Sequence, residues 1–237
     1  MPTSQLIEYQ SGDIQLEGYY AANSESTEKR PAVIVIHDWS GKNEFACQKA
    51  DKLAELGYVG FALDMYGKGK TGSTKEEKSA LIQPLLENRN LIRQRALAAF
   101  DTVKQLPNVD ANKISAIGFC FGGLCVLDLA RSGANIAGVI SFHGLLNAPQ
   151  NLDSKPIKSK ILVLHGYDDP MVPPTEVLKF ANEMTTAKAD WQIYMYGNTM
   201  HAFTNPQAND PGFGTVYNTN ADSRSWQAML NFFSEIF

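Results

Sequence analysis

Short apolar runs alternate with segments of helical spacing along most of the chain. The run GDIQLEGYYAA alternates apolar and polar positions and, with SQLIEYQ before it, predicts an N-terminal β-hairpin. The later runs are nearly continuous, as expected of strands buried on both faces of a parallel sheet. They are PAVIVIH, GYVGFALDM, KISAIGF, IAGVISFHG, KILVLHG and WQIYMYG.

The segments between these runs carry apolar residues at the spacing of amphipathic helices. They are EFACQKADKLAEL, RQRALAAFDTVKQL, GLCVLDLARS, TEVLKFANEM and ADSRSWQAMLNFFSEIF. Strand and helix alternating over most of the length predicts an α/β fold with a doubly wound, mostly parallel sheet, in a single domain of residues 1–237.

One interval does not fit this alternation. Residues 67–90, GKGKTGSTKEEKSALIQPLLENRN, follow the strand that ends in ALDMYG and are too long for a simple connection. The interval is either a mobile flap over a site or a solvated loop that leads into a helix, and the pattern is compatible with both.

Composition and charge narrow the function classes. The 237 residues are 44% hydrophobic and 19% charged, which is typical of a soluble globular protein, and a net charge of -4 offers no basic footprint for nucleic acid. The sequence begins without the basic start and apolar run of a signal peptide, and no apolar run approaches the ~20 residues that span a bilayer. We therefore expect no membrane partner. The three cysteines form no disulfide framework, so we expect a reducing, cytoplasmic setting.

The stretch ISAIGFCFGG, residues 114–123, has the form of a nucleophile elbow, with Cys120 at the position where hydrolases display serine. Gly118 and Gly122 let strand, turn and helix approach closely, and the tight turn directs the central side chain outward. The alternative is a buried structural cysteine. A thiol suits the position because the helix N-terminus favours the thiolate and a nearby histidine can deprotonate it.

The same turn predicts an oxyanion hole at the start of the helix. One donor would be the backbone N–H of Phe121. The second is expected from the turn HDWSG after the strand PAVIVIH, where it would be the N–H of Trp39.

An acid and a base follow two later strands, at the sheet edge where ligand sites of open parallel sheets lie. Asp169 stands in LVLHGYDDPMVP and His201 in MYGNTMHAFTNP, which gives the chain order nucleophile, acid, histidine. Asp169 would hold His201 in one tautomer, and His201 would act first as base and then as acid. Asp168 is the competitor for the acid role, and alternatively both aspartates cap the next helix.

The remaining histidines and cysteines receive structural interpretations. His37, His143 and His165 stand at strand ends without metal-ligand spacing, so we expect no metal and no cofactor. Cys47 and Cys125 fall on predicted helices and are expected in the core.

The segments HDWSG, GYVGFALDMYG, GFCFGG, LHGYDDPMVP and HAFTNP together resemble the dienelactone hydrolase family of α/β-hydrolases over nearly the whole chain. The resemblance implies a sheet of about eight mostly parallel strands and a Cys-His-Asp triad at Cys120, His201 and Asp169. It also implies a carboxylate after the third strand that controls the resting thiol. The family usually has glutamate there, and this chain has the shorter Asp38.

Two substitutions set this chain apart from the enzyme that gives the family its name, which binds its substrate carboxylate with two arginines. The corresponding regions here offer Lys78 in EEKSAL and Asn205 four residues after the histidine. Lysine lacks the bidentate fork of arginine and asparagine has no charge, so we expect small neutral substrates. Arg89 or Arg93 could supply a cation in another way.

The sequence therefore predicts a cofactor-independent hydrolase that cleaves small carboxylic esters or lactones through a thiol acyl-enzyme. A thioester hydrolase with the same triad is the nearest alternative. A non-catalytic binding or redox-sensing protein, with Cys120 as an oxidisable thiol, is the other. The histidine and the acid argue against a sensor because a sensor needs neither of them. The physiological substrate and the oligomeric state do not follow from the sequence.

Overall fold

The computed structural model describes residues 2–23, 28–150 and 155–237. The strands in these ranges are β1 (Pro2–Ser11), β2 (Ile14–Asn23), β3 (Arg30–Ile36), β4 (Val59–Ala62), β5 (Val109–Phe119), β6 (Gly138–Phe142), β7 (Lys160–Gly166), β8 (Trp191–Tyr196), β9 (Asn209–Asp210) and β10 (Thr215–Val216). The helices are α1 (Glu44–Glu55), α2 (Lys75–Glu87), α3 (Arg89–Lys104), α4 (Phe121–Arg131), α5 (Pro174–Thr186) and α6 (Thr219–Ile236).

Eight of the strands form one sheet in the order β1-β2-β4-β3-β5-β6-β7-β8. Strands β1 and β2 are an antiparallel hairpin, and β2 pairs antiparallel with β4. The pairs β3–β4, β6–β7 and β7–β8 are parallel. The predicted α/β architecture, a mostly parallel sheet of about eight strands with an N-terminal hairpin, is confirmed.

The chain divides into two compact units, Met1–Ile117 and Gly118–Phe237. In the first unit, α1 packs against β2, β3 and β4, and α3 packs against β1 and β3. A Cβ at Gly60 would lie 2.3 Å from the carbonyl oxygen of Ala50. This glycine therefore lets α1 lie directly on β4.

In the second unit, α4 packs against β6, and α6 packs against β6 and β7. Every residue of α4 is buried, in agreement with its nearly continuous apolar sequence. Strands β6, β7 and β8 run parallel, so their carboxyl ends lie at one edge of the sheet. The loops that leave this edge carry the polar residues predicted to be functional.

The interval 67–90 consists of a loop followed by α2, and its last two residues begin α3. The hydroxyl of Thr74 accepts a hydrogen bond from the N–H of Glu77 at 3.2 Å. The carboxylate of Glu77 accepts in turn from the N–H of Thr74, also at 3.2 Å. This reciprocal pair is a capping box, and it fixes the start of α2 at Lys75.

Candidate active site

The predicted nucleophile lies in a strained turn between β5 and α4. Cys120 has φ 55° and ψ -114°, a region that non-glycine residues rarely adopt. A Cβ at Gly118 would lie 2.0 Å from the carbonyl oxygen of Gly122, so strand and helix can meet only at a glycine. The turn thus has the tight strand-to-helix geometry that the sequence predicted, and the Cys120 side chain is partly exposed.

Two acceptors hold the backbone N–H of Cys120. The N–H donates to the carbonyl oxygen of Phe142 at 3.0 Å and to Nδ1 of His143 at 3.2 Å. Both acceptors come from the carboxyl end of β6. The end of β6 therefore fixes where the thiol stands.

The acid and the histidine lie in direct contact. Oδ2 of Asp169 is 2.7 Å from Nδ1 of His201, and both residues are buried. Oδ1 of Asp169 accepts from the N–H of Met171 at 2.8 Å. The carboxylate is thus fully engaged, and it orients the imidazole with its proton on Nδ1.

Charge at this site favours a protonated imidazole. Burial alone would lower the pKa of His201, but the Cys120 sulfur and the Asp169 carboxylate together raise it to about 10. Among the described residues, no atom lies at hydrogen-bonding distance and angle from Nε2 of His201. The Cys120 sulfur therefore lies close enough to interact with the ring, although the contact falls short of a well-aligned hydrogen bond, as is common in such pairs before substrate binds.

The loop that carries His201 is held by the two-stranded ribbon of β9 and β10, which the sequence did not predict. The N–H of His201 donates to the carbonyl of Gly214, and the N–H of Val216 donates to the carbonyl of His201, both at 3.0 Å. Gly214 has φ 83°, and a Cβ there would lie 2.2 Å from Cγ of Pro170, the residue after Asp169. Strands β9 and β10 hold two residues each, which is too short for a periodic signal.

Asp168 lies apart from the histidine. Its side chain is exposed, and Oδ2 accepts from the N–H of Thr199 at 3.0 Å. The contact connects the loops that follow β7 and β8. Of the two adjacent aspartates, the structure brings only Asp169 to His201.

The three other histidines are buried, in keeping with structural roles. Burial lowers the pKa of both His37 and His165. Nε2 of His143 lies 2.8 Å from the hydroxyl of Thr204, a residue that sequence reasoning did not single out. The only feature of the sequence that could have pointed to Thr204 is its position three residues after His201.

The two remaining cysteines differ from each other. Cys125 is fully buried on α4, as expected. Cys47 is only partly buried, so its predicted place in the core is wrong. The buried face of α1 includes Ala46 and Ala50, and position 47 lies beside that stripe rather than within it.

In the first unit, the loop after β3 is built around buried hydrogen bonds. Nδ1 of His37 lies 2.5 Å from the carbonyl of Asp38, and Nε2 accepts from the N–H of Met65 at 3.2 Å. Oδ1 of Asp38 accepts from the N–H of Ser40 at 2.7 Å, and the hydroxyl of Tyr66 donates to the carbonyl of Trp39 at 2.9 Å. The backbone at Trp39 is therefore held in place from several directions.

Asp64, which the sequence analysis did not single out, organises the neighbouring loop after β4. Its carboxylate is fully buried. Oδ1 accepts from the N–H groups of Tyr66 and Gly67, each at 2.9 Å. Oδ2 accepts from the N–H groups of Gly69 at 2.9 Å and Glu17 at 3.3 Å. One side chain thereby fixes the start of the interval that leads to α2.

The two candidate substrate-binding residues have different surroundings. Nζ of Lys78 lies 5.6 Å from the ring centroid of Trp39, within cation–π range. Oδ1 of Asn205 accepts from the N–H of Gln207 at 3.0 Å, which closes a local turn. Lys78 is therefore next to the loop that bears Trp39, whereas Asn205 supports its own loop. Arg93 is buried in α3, and Arg89 is the first residue of that helix.

Within the described ranges, no cluster of three or more histidine, cysteine or acidic residues could hold a metal ion. Nor does any described helix have the length and apolar character needed to cross a membrane.

The chain is similar to known proteins in sequence and in fold. The dienelactone hydrolase family model matches residues 16–237. A crystal structure of a dienelactone hydrolase-like promiscuous phosphotriesterase from metagenomic libraries is 38% identical, covers 100% of this chain and 99% of that chain, and superposes with a TM-score of 0.95. An Aquifex aeolicus protein named "Putative carboxymethylenebutenolidase" is 27% identical over 97% of each chain. A Bradyrhizobium protein named "Probable 2-oxo-3-(5-oxofuran-2-ylidene)propanoate lactonase" is 27% identical over 78% of this chain and 77% of its own.

Proposed function

The chain belongs to the dienelactone hydrolase family of α/β-hydrolases, and from this membership we propose that it hydrolyses small carboxylic esters or lactones with Cys120 as nucleophile. The observation that carries the proposal is the buried pair of Asp169 and His201 at 2.7 Å. The Cys120 sulfur is close enough to help raise the pKa of that histidine to about 10. A thiolate–imidazolium pair is the state that thiol hydrolases use for attack.

In the proposed reaction, the Cys120 thiolate attacks the carbonyl carbon and forms a tetrahedral oxyanion. The oxyanion collapses to a thioester on Cys120, and Nε2 of His201 gives its proton to the departing alkoxide. His201 then takes a proton from water, which attacks the thioester and releases the acid and the Cys120 thiolate, so that the thiolate–imidazolium pair is restored. Asp169 keeps Nδ1 protonated throughout, so that Nε2 is the nitrogen that exchanges protons.

For the oxyanion hole we propose the backbone N–H groups of Phe121 and Trp39 as donors. Phe121 is the first residue of α4, where the N–H groups and the helix dipole favour negative charge. Trp39 lies in the loop whose backbone the hydroxyl of Tyr66 holds. A donor that does not have to reorganise during the reaction contributes most to stabilising the transition state.

Asp38 is proposed to disfavour the resting thiolate by like-charge repulsion until substrate binds. Its Oδ1 is held by the N–H of Ser40 at 2.7 Å, which fixes the carboxylate within its own loop. A carboxylate held in one conformation suits this role, because its charge keeps a constant position.

The substrate class we propose is a small neutral ester or lactone. Asn205 carries no charge, and its side-chain oxygen already serves the local turn. Lys78 has a flexible stem beside Trp39 and lacks the bidentate fork that fixes a carboxylate. A substrate with a free carboxylate would therefore bind less tightly here than in a site with two arginines. Two relatives carry the names of lactone-cleaving enzymes, which supports a lactone as one of the substrate classes.

A second candidate activity is phosphotriester hydrolysis. The relative at 38% identity over the full chain is described as a promiscuous phosphotriesterase. A neutral phosphotriester would suit a site without a strong cation, and a thiol nucleophile would form a thiophosphoryl intermediate in place of a thioester. Thioester hydrolysis would use the same residues as ester hydrolysis.

A panel assay separates these activities. We would measure kcat/KM for p-nitrophenyl acetate, a neutral γ-lactone, an acetyl thioester and a neutral aryl phosphotriester, with Cys120→Ala as control. The proposal expects the ester or lactone to give the highest value, and the variant to lose all hydrolysis above background. No turnover in any arm would favour the redox-sensing alternative.

We also propose that the chain works as one hydrolase domain, because the family model spans residues 16–237 and includes both compact units. A reducing, cytoplasmic setting suits its three free cysteines.

A further inference from the structure

His143 connects the nucleophile turn to the histidine loop. Its Nδ1 accepts from the N–H of Cys120 at 3.2 Å, and its Nε2 lies 2.8 Å from the hydroxyl of Thr204. Because Nδ1 is an acceptor, the partners assign the ring proton to Nε2, which donates to Thr204. A single neutral imidazole thus bridges two segments that carry different members of the triad.

The hydrogen bonds of His143 are those of a neutral ring. The ring centroid lies 5.2 Å from that of His201 and 5.0 Å from that of Phe203, both in edge-to-face arrangement. The side chain is buried. A second proton on Nδ1 would point at the N–H of Cys120, donor against donor, and would bring a cation beside His201.

The bridge acts on a strained residue. Cys120 has φ 55° and ψ -114°, a conformation that persists only where neighbouring groups fix it. The N–H of Cys120 is shared between Phe142 and His143. Without the His143 acceptor, the turn would keep one of these two contacts and the thiol could drift from His201.

We propose that His143 and Thr204 are positioning residues, which keep the Cys120 thiol within reach of the His201 imidazole. Neither is placed at the reacting atoms in the proposed mechanism, and their effect passes through the Cys120 turn and the histidine loop. The inference rests on the proposed function, but its main test needs no substrate. Iodoacetamide reports how readily the Cys120 thiolate forms.

The first test replaces Thr204 by valine, which has the same shape without the hydroxyl, and by serine, which keeps it. We expect Thr204→Val to slow alkylation of Cys120 at neutral pH roughly threefold to tenfold, the fold-change that corresponds to about 1 kcal/mol for one hydrogen bond. The pH–rate profile should move to higher pH, and Thr204→Ser should restore it. Thr102→Val is the matched control, because its hydroxyl also donates a 2.8 Å bond, to a carbonyl of α3 in the other unit.

The second test separates the two ends of the bridge. In His143→Asn the amide oxygen stands near the position of Nδ1, and asparagine tolerates the positive φ of 38° at this residue. In His143→Gln the amide reaches Thr204 instead. The proposal expects alkylation in His143→Asn to be faster than in His143→Gln, because the contact with Cys120 is the one that sets the thiol.

Three results would overturn the inference. They are an unmoved alkylation profile in Thr204→Val, a profile moved equally by Thr102→Val, and a reversed order of the two His143 variants. Failure of the proposed function gives a different pattern. In that case no substrate in the panel turns over, while the alkylation profiles still separate as described.

Discussion

Replacing Asp169 by asparagine should disable the His201 base while leaving the shape of the site almost unchanged. The Asp169 carboxylate accepts from the N–H of Met171 at 2.8 Å and from Nδ1 of His201 at 2.7 Å. Asparagine has one oxygen for these two donors. If the oxygen stays with Met171, an NH₂ group faces Nδ1, and the ring proton must move to Nε2, the nitrogen that should exchange protons with thiol and leaving group.

The size of the loss follows from the burial of the pair. Both side chains are nearly inaccessible to solvent, so water cannot replace the missing charge. Without the carboxylate, Nδ1 loses the acceptor that fixes the ring and its tautomer, so kcat should fall roughly a thousandfold or more. The same change in the serine protease triad, where it is well known, costs about ten-thousandfold.

The assay is steady-state hydrolysis of p-nitrophenyl acetate, with unfolding midpoints measured to verify that the variants are folded. Asp168→Asn is the matched control, because this neighbouring aspartate is exposed and its carboxylate accepts from the N–H of Thr199 rather than from His201. We expect it to change kcat by no more than about threefold, as is usual for a surface hydrogen bond. Equal losses in the two variants, or a larger loss in Asp168→Asn, would refute the assignment of the acid.

Three further predictions concern charge around the site. Asp38→Ala should react faster with iodoacetamide at neutral pH, because repulsion of the Cys120 thiolate is removed; unchanged or slower labelling argues against the gating role. Asn205→Arg should raise kcat/KM for a carboxylate-bearing ester relative to its neutral analogue by roughly tenfold or more, and an unmoved ratio rules out this position as a substrate contact. Because the pKa of His201 is raised to about 10, its protonated form contributes stability that is fully present below about pH 6.5 and is lost as pH rises through about 10. The difference in urea midpoint between wild type and Asp169→Asn should therefore be largest near pH 6 and shrink towards pH 10, and a constant difference would contradict the shift.

The strands were the part of the fold most open to prediction. The run KILVLHG matches β7, Lys160–Gly166, residue for residue, because a buried parallel strand is apolar throughout its length. Helix α2 was harder to foresee, since Leu85 is its only buried residue and a mostly exposed helix leaves little periodic signal. Strand β5 begins at Val109, ahead of the predicted run KISAIGF, because the residues between them are largely polar and their pattern gives no strand signal.

The site divides in the same way. The order of Cys120, Asp169 and His201 and the glycines of the elbow are local features that sequence can display. The bridge from His143 to Thr204 depends on how two loops pack, and nothing in the residue types themselves indicates it. Asp64 is similar, because its importance lies in the backbone N–H groups that converge on it.

The most direct test of a thiol acyl-enzyme is to trap it. Enzyme mixed with p-nitrophenyl acetate and quenched with acid within the first turnover is digested and mapped by mass spectrometry. The proposed mechanism predicts one acetyl group on the peptide that contains Cys120, none on the peptides of Cys47, and none in Cys120→Ala. Turnover without acetyl on Cys120, or acetyl and full activity retained in Cys120→Ala, would contradict it.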